Sequence, residues 1–159
     1  MIFITLGTQP CDFSRFLRMV ETMLDECLIE EPIIAQIGHT QYRPAGVECF
    51  KFVSEQEYQE YLSQARVVIS HAGTGALFGA LKKEKLVIAV ARLQKYGEMV
   101  DNHQEEIVLK LAQDGYLLDG TQSILNAWLS IDNFKPKKLT LHNDLPSIIE
   151  SQIRNWLDE

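Results

Sequence analysis

Hydrophobic residues occur in this chain as short apolar runs, separated by longer stretches in which apolar positions recur every three or four residues. The short runs end in glycine or polar residues, which is typical of strands buried on both faces of a sheet. They predict strands over residues 1–6, 33–37, 67–70 and 86–91, a strand of mixed alternation over 47–53, and a short last strand over 116–118.

Stretches with helical spacing lie between the strands. They predict helices over about 13–28, 54–64, 74–83, 103–113 and 123–129, and a final helix with Pro146 in its first turn. Asp12 or Ser14 can cap the first helix, and Ser54 with Glu57 forms a capping-box signature at the start of the second. Alternating strands and helices indicate an α/β fold, with a Rossmann-like parallel sheet and helices on both faces.

Length and composition narrow the function classes. The 159 residues fit one domain, with a core over about 1–120 and a helical tail over about 121–159. The net charge of −7 argues against a nucleic-acid partner, because a phosphate backbone requires clustered lysine and arginine. Cys11, Cys27 and Cys49 lack metal-ligand or CxxC spacing, so we expect free thiols in a reducing cytoplasm. We expect neither a signal peptide nor a membrane span, because no apolar run approaches the roughly 20 residues that cross a bilayer.

Glycine and unusual polar residues concentrate in the loops over 7–12, 38–46, 71–75 and 92–103. These loops follow strands, and open parallel sheets bind ligands at the carboxyl ends of their strands. The clearest candidate is His71-Ala-Gly-Thr-Gly75, which runs directly into a helix. Gly73 and Gly75 allow close backbone approach, and a helix N-terminus offers unpaired N–H groups, so the loop predicts a metal-free diphosphate site. A plain glycine-containing turn explains the loop equally well, because neither the Walker spacing nor GxGxxG is present.

The other loops supply further candidates. Residues 7–9 can offer N–H groups and a hydroxyl to the same anion. Residues 101–104 are either a helix cap with solvated neighbours or hydrogen-bonding partners of sugar hydroxyls. Arg92 and Lys95 are possible contacts for a phosphate or an acidic sugar, although exposed cations are usually only solvated. His71 is a weak candidate for a catalytic base, and a hydrogen bond to the backbone explains it as well.

Five segments in this order carry a resemblance to a known family: Ile2-Phe-Ile-Thr-Leu-Gly-Thr8, Gln36-Ile-Gly38 with Tyr42 and Pro44, Val68-Ile-Ser-His-Ala-Gly-Thr-Gly75, Arg92-Leu-Gln-Lys-Tyr-Gly-Glu98 and Asp101-Asn-His-Gln104. Together they resemble the C-terminal domain of family 28 glycosyltransferases, the donor-binding half of the two-domain GT-B fold. The chain is most similar to PssE-type subunits of bacterial exopolysaccharide and capsule glycosyltransferases. It also resembles the donor-binding subunit of the eukaryotic enzyme that adds the second N-acetylglucosamine to dolichol diphosphate.

The resemblance implies a UDP-sugar donor and assigns residues to its parts. Phe52 and Val53 would face uracil. The diphosphate would be bound by Gly7, Thr8, Gln9, His71, Gly73, Thr74 and Gly75. The sugar would be bound by Asn102, His103 and Gln104. A glutamate that binds the ribose hydroxyls in several relatives aligns with Gly79 here, so the ribose contact must differ.

The resemblance also implies an activity and a partner. The reaction would be an inverting hexosyl transfer to a lipid-linked saccharide in exopolysaccharide or capsule synthesis, without a cofactor or a metal. We expect these 159 residues to lack the family's acceptor-binding domain. We therefore expect a separate membrane-associated subunit that carries the base and holds this cytoplasmic chain at the inner face of the membrane. Two alternatives are a non-catalytic nucleotide-sugar-binding or enhancer subunit and an enzyme similar to UDP-sugar epimerases.

Overall fold

The computed structural model describes residues 1–26 and 28–139. Within this part of the chain, six strands form one sheet in which all neighbouring strands are parallel. The strands are β1 Ile2–Thr5, β2 Ile33–Gln36, β3 Glu48–Phe50, β4 Val67–His71, β5 Leu86–Val90 and β6 Leu118–Asp119. Their order across the sheet is β3-β2-β1-β4-β5-β6, which is the order of dinucleotide-binding Rossmann sheets. The predicted α/β class with a parallel sheet is confirmed.

Helices cover both faces of the sheet. The α-helices are α1 Ser14–Asp25, α2 Glu55–Gln64, α3 Thr74–Lys82, α4 His103–Gln113 and α5 Ile124–Leu129, and short 3-10 helices lie at Gln94–Tyr96 and Ile131–Asn133. Helices α1 and α5 pack on one face with Ile2 and Ile4, whereas α2, α3 and α4 pack on the other with Phe3. Because both faces of β1 are buried, this strand is apolar throughout. No helix in the described residues is long and apolar enough to span a bilayer.

Several elements are shorter than the sequence predicted. Helix α1 ends at Asp25, because the chain turns there and the N–H of Leu28 donates to the carbonyl of Met23. Strand β3 has three residues, lies at the sheet edge and pairs with β2. The capping box of Ser54 and Glu57 is confirmed, with both of its hydrogen bonds present. The predicted final helix lies outside the described residues, and the domain bounds stay a prediction.

The order of the strands reverses between β1 and β4. The chain continues from β1 to β2 on one side of the sheet and from β4 to β5 on the other, so the loops after β1 and β4 diverge. Gly7 follows β1 with a φ of 75°, in the left-handed region that favours glycine. Both predicted glycine loops therefore begin at the point where open α/β sheets bind ligands.

Candidate functional site

The imidazole of His71 fills the space between the loop after β1 and the loop after β4. A Cβ atom added to Gly7 would lie 2.4 Å from Nε2 of His71, and one added to Gly73 would lie 2.2 Å from the same atom. Both distances are far below van der Waals contact, so both positions require glycine while His71 keeps this place. A Cβ atom at Gly75, by contrast, would meet nothing within 4 Å.

His71 is neutral at pH 7. Burial lowers its pKa to about 4, and a hydrogen bond to the backbone carbonyl of Thr5 opposes this effect only in part. That bond joins Nδ1 to the Thr5 oxygen over 3.2 Å. Because a carbonyl oxygen can only accept, Nδ1 carries the proton and Nε2 remains an acceptor. In this protonation state Nε2 has no proton to donate to a diphosphate oxygen, although His71 lines the cavity, and its predicted diphosphate contact stays a prediction. In the structure His71 lies between the two glycine loops and contacts both.

The N-terminus of α3 offers free N–H groups beside His71. Gly73 occupies the N-cap position, and no side chain in the described part of the protein caps the helix. The N–H of Leu77 donates to the carbonyl of Gly73 and closes the first helical turn. The N–H groups of Thr74, Gly75 and Ala76 are therefore available at the positive end of the helix dipole, where a phosphate is stabilised.

Two adjoining cavities lie along this edge of the sheet. The first cavity has a volume of about 560 Å³ and is lined by Thr5, Gly7, Thr8, Gln9, Gln36, Phe52, Val53, Glu55, Tyr58, Gln59, His71, Gly73, Thr74, Gly75, Ala76 and Gln104. The second cavity has a volume of about 490 Å³ and is lined by Gln9, Ala72, Gly73, Thr74, Met99, Asp101, His103, Gln104 and Ile107. Four residues line both: Gln9, Gly73, Thr74 and Gln104. The two cavities therefore form one continuous groove that contains all seven residues predicted to surround a diphosphate.

The predicted sugar-binding residues separate in the structure. His103 and Gln104 line the second cavity, whereas Asn102 does not and instead accepts a hydrogen bond from the N–H of Gln94. Gln104 is 8% exposed, and its Oε1 accepts from the N–H of Arg92 over 3.1 Å. The amide nitrogen of Gln104 is therefore the group that remains to donate to a ligand.

Carboxylates surround His103 at the start of α4. Nε2 of His103 lies 3.9 Å from Asp101, and Nδ1 lies 3.5 Å from Glu106. Asp101 also accepts the backbone N–H of His103 over 3.2 Å, so its carboxylate binds an N–H of the first turn. The N-cap residue Asn102 makes no side-chain capping bond, and Asp101 before it accepts this N–H instead, so the structure does not decide between the two alternatives left open by the sequence. A sugar-binding role for His103 and Gln104 stays a prediction.

Arg92 is not the loop cation that we expected from the sequence. The residue is 1% exposed, and its guanidinium donates to the backbone carbonyls of Leu6, Cys11 and Asp12. It also lies 4.4 Å from the centre of the Phe13 ring. These contacts use both terminal nitrogens of the guanidinium, Nε is buried without a hydrogen-bond partner in the described residues, and Arg92 lines neither cavity. Arg92 instead positions the loop after β1, with the carbonyls of that loop held towards the interior.

Lys95 lies outside both cavities. Its ammonium group is 4.9 Å from the centre of the exposed Tyr96 ring, and the structure does not bring it to the predicted phosphate contact. Among the described residues, no lysine or arginine lines either cavity. Nor do those residues place three or more His, Cys, Asp or Glu side chains together to hold a metal ion. An anion in this groove would meet N–H groups, a helix dipole and neutral polar side chains.

The segment between β3 and α2 forms the end of the first cavity that lies away from α4. Phe52 and Val53, the predicted uracil-facing residues, line this end, and Phe52 is 48% exposed. The N–H of Val53 donates to Oε1 of Gln36 over 3.3 Å. A planar base that packs on Phe52 and accepts a hydrogen bond from the N–H of Val53 would therefore compete with Gln36 for this donor.

Three residues of α2 line the first cavity, and we did not predict them from the sequence. They are Glu55, Tyr58 and Gln59. The segment was interpreted only as a capping box, although residues three and four positions apart share one face of a helix. That spacing, directly after a strand whose carboxyl end lies at the site, is the signal that would have found them.

Comparison with known proteins is consistent with this geometry. A family model described as "Glycosyltransferase family 28 C-terminal domain" matches residues 1–144. The UDP-N-acetylglucosamine transferase subunit ALG13 of Mus musculus is 28% identical over 131 residues, which cover 78% of this chain and 11% of the mouse protein. The subunit of the same name from Debaryomyces hansenii is 34% identical over 70 residues, which cover 44% of this chain and 31% of that protein. The chain therefore matches only a minor part of the length of these relatives.

Solved structures share the fold. An NMR solution structure of ALG13 is similar with a TM-score of 0.61 and 20% identity, and the match covers 93% of each chain. The glycosyltransferase SnogD from Streptomyces nogalater is similar with a TM-score of 0.53 and 15% identity, over 82% of this chain and 34% of SnogD. These similarities confirm the Rossmann-like fold found in one half of GT-B glycosyltransferases. Since the family model covers most of the sequence, this chain belongs to glycosyltransferase family 28, as a member of its C-terminal domain family.

Proposed function

We propose that this chain is the donor-binding subunit of a glycosyltransferase that uses a UDP-sugar. The observation that carries the proposal is the uncapped N-terminus of α3, which shares one groove with the loop after β1. This groove lies at the point of the sheet where Rossmann-like domains bind nucleotides. The names of the curated relatives support the donor, since they describe UDP-N-acetylglucosamine transferase subunits. UDP-N-acetylglucosamine is therefore the first donor to test.

The shape of the groove suggests how such a donor lies. Uracil would pack at Phe52 and Val53, and the diphosphate would lie between the loop over 7–9 and the N–H groups over 73–76. The hexose would then enter the second cavity, where Gln104 offers its amide nitrogen. The order of these parts along the groove matches the order of the parts in a nucleotide sugar.

The proposed reaction is an inverting displacement. A hydroxyl oxygen of the acceptor attacks the anomeric carbon, the bond to the β-phosphate oxygen breaks with its electron pair, and the acceptor proton passes to a base. The free N–H groups of α3 stabilise the charge that develops on the departing UDP. His71 is poorly suited to be the base, because its pKa of about 4 makes it a weak proton acceptor at pH 7. We therefore place the base on a partner.

The partner in this proposal is a membrane-associated subunit that binds the acceptor. The word "subunit" in the names of the curated relatives supports a second polypeptide. The acceptor would be a lipid-linked saccharide in exopolysaccharide or capsule synthesis, with this chain cytoplasmic and recruited to the inner face of the membrane. Transfer should require both polypeptides. A variant of this chain that no longer binds UDP can be combined with the partner. Full transfer by that mixture would favour the alternative of a non-catalytic enhancer subunit.

Calorimetric titration of the purified chain tests the donor. UDP should bind about tenfold or more tightly than UMP, because the second phosphate gains charge-assisted hydrogen bonds from the N–H groups of α3. UDP-N-acetylglucosamine should bind at the same site and compete with UDP. Equal affinities for UMP and UDP, or the absence of binding by either, would contradict the proposed diphosphate site.

A further inference from the structure

A single carboxylate lines the first cavity among the described residues. It belongs to Glu55, the first residue of α2, whose side chain lies on the exposed rim of the cavity. Oε1 of Glu55 accepts a hydrogen bond from Nε2 of Gln59 over 2.9 Å, one helical turn further on. Gln59 lines the same cavity, so the pair presents an oriented carboxylate to whatever occupies it.

Glu55 is not needed to cap α2. Ser54 and Glu57 form the complete capping box, in which each side chain binds the backbone N–H of the other. Tyr58 lies on the same face of the helix, but its ring packs against the core, with its centre 5.2 Å from that of the Phe3 ring. Glu55 and Gln59 are therefore the polar groups of α2 that remain for a ligand.

A carboxylate in a cavity that binds a diphosphate would repel its ligand unless it meets neutral hydrogen-bond donors. A pair of adjacent hydroxyl groups supplies such donors, because one carboxylate can accept from both. In a nucleoside diphosphate the ribose joins the base to the phosphates. Glu55 follows Phe52 and Val53 closely along the chain, and it lines the same cavity as those two residues and the N-terminus of α3.

We infer that Glu55, oriented by Gln59, binds the two ribose hydroxyls of the donor and selects ribonucleotides over 2′-deoxyribonucleotides. This inference rests on the proposed function, since it needs a nucleoside diphosphate in the first cavity. It gives the chain a ribose contact on α2, in place of the one that Gly79 on α3 cannot make. Gln59 donates to one lone pair of the Glu55 carboxylate, and the other lone pairs accept from the hydroxyl groups at O2′ and O3′.

Helix α2 itself contains a matched control. Gln56 donates to Glu60 over 2.9 Å, the same distance as in the pair of Gln59 and Glu55, and neither Gln56 nor Glu60 lines the cavity. Glu55→Ala and Glu60→Ala thus remove equivalent exposed carboxylates from one helix. Neither change disturbs the capping box, so both variants should fold.

The test is calorimetric titration of the full chain and both variants with UDP and with 2′-deoxy-UDP. The wild-type chain should bind UDP about tenfold more tightly than 2′-deoxy-UDP, because the deoxy compound lacks one charge-assisted hydrogen bond. Glu55→Ala should abolish this preference by weakening UDP binding alone, and Glu60→Ala should preserve it.

The outcomes separate the two proposals. A tenfold preference that persists in Glu55→Ala would overturn the ribose assignment while leaving the donor site intact. Equal binding of both nucleotides by the wild-type chain would overturn it as well. If the wild-type chain binds neither nucleotide, the proposed function fails, and the ribose assignment fails with it.

Discussion

Replacing His71 with glutamine removes an imidazole that is neutral in the folded protein but protonates readily in the unfolded chain. Burial lowers the pKa of His71 from its ordinary value of 6.5 to about 4. Between these two values the unfolded chain binds a proton that the folded protein excludes. His71 therefore does not reduce the free energy of unfolding above pH 6.5. As the pH falls from 6.5 towards 4, protonation of the unfolded chain lowers that free energy.

The size of this effect follows from the two pKa values. A difference between 6.5 and about 4 corresponds to about 3 kcal/mol of unfolding free energy, since each pH unit is worth about 1.4 kcal/mol. At pH 5 the imidazole is almost fully protonated in the unfolded chain and mostly neutral in the fold. About 2 kcal/mol of stability should therefore be lost between pH 7 and pH 5.

Urea denaturation at pH 7 and pH 5 measures this loss in the wild-type chain and in His71→Gln. The wild-type chain should lose about 2 kcal/mol more than the variant over this interval. Because each protein is compared with itself, the variant's lost bond to Thr5 does not enter the difference. Equal losses in both proteins would refute the conclusion that the fold holds His71 in its neutral form.

Two further replacements test the architecture around His71. Gly73→Ala should lower the melting temperature, because its Cβ would lie 2.2 Å from Nε2 of His71, and His71→Ala should remove most of that cost in the double variant. A cost that persists in the double variant would show that His71 is not the obstacle. Arg92→Met should lower the unfolding free energy by about 3 kcal/mol, since three backbone carbonyls lose a charged donor and the one of Leu6 is buried, and a loss under about 1 kcal/mol in urea titration would contradict this role.

Local signals in the sequence were sufficient for most of the fold. The capping box of Ser54 and Glu57 depends on residues three positions apart, and the apolar strands reflect burial on both faces. The rule that ligands bind at the carboxyl ends of parallel strands then located the two glycine loops. Short-range patterns were less informative at β3, where the alternation over 47–53 predicted a longer strand than the observed Glu48–Phe50.

The site depends more on contacts between distant residues, which no local pattern contains. Arg92 lies in a loop after a strand, a position that predicts an exposed cation. Its guanidinium instead donates to carbonyls about eighty residues away in the chain. The role of His71 follows from its approach to Gly7 and to the carbonyl of Thr5 on the neighbouring strand. The position of Glu55 in the cavity depends on how α2 packs beside the loops. These are tertiary properties, and they became visible only in the assembled fold.

The central claim is that the N-terminus of α3 binds the diphosphate of the donor. Gly75 lies in the first turn of α3 and lines the first cavity, and a Cβ atom there would project into open space. Gly79 lies one turn later, outside the cavity, where a Cβ atom would make only an ordinary contact of 3.9 Å with Leu62. Alanine at either position should stabilise the helix by up to about 1 kcal/mol, so misfolding does not explain a difference in binding.

The most direct measurement is therefore the calorimetric affinity of Gly75→Ala and Gly79→Ala for UDP, each compared with that of the wild-type chain. Gly75→Ala should bind UDP about tenfold or more weakly, because its methyl group occupies space beside the N–H groups that hold the phosphates. Gly79→Ala should bind UDP as the wild-type chain does. Wild-type affinity in Gly75→Ala would contradict the assignment of this helix terminus as the diphosphate site.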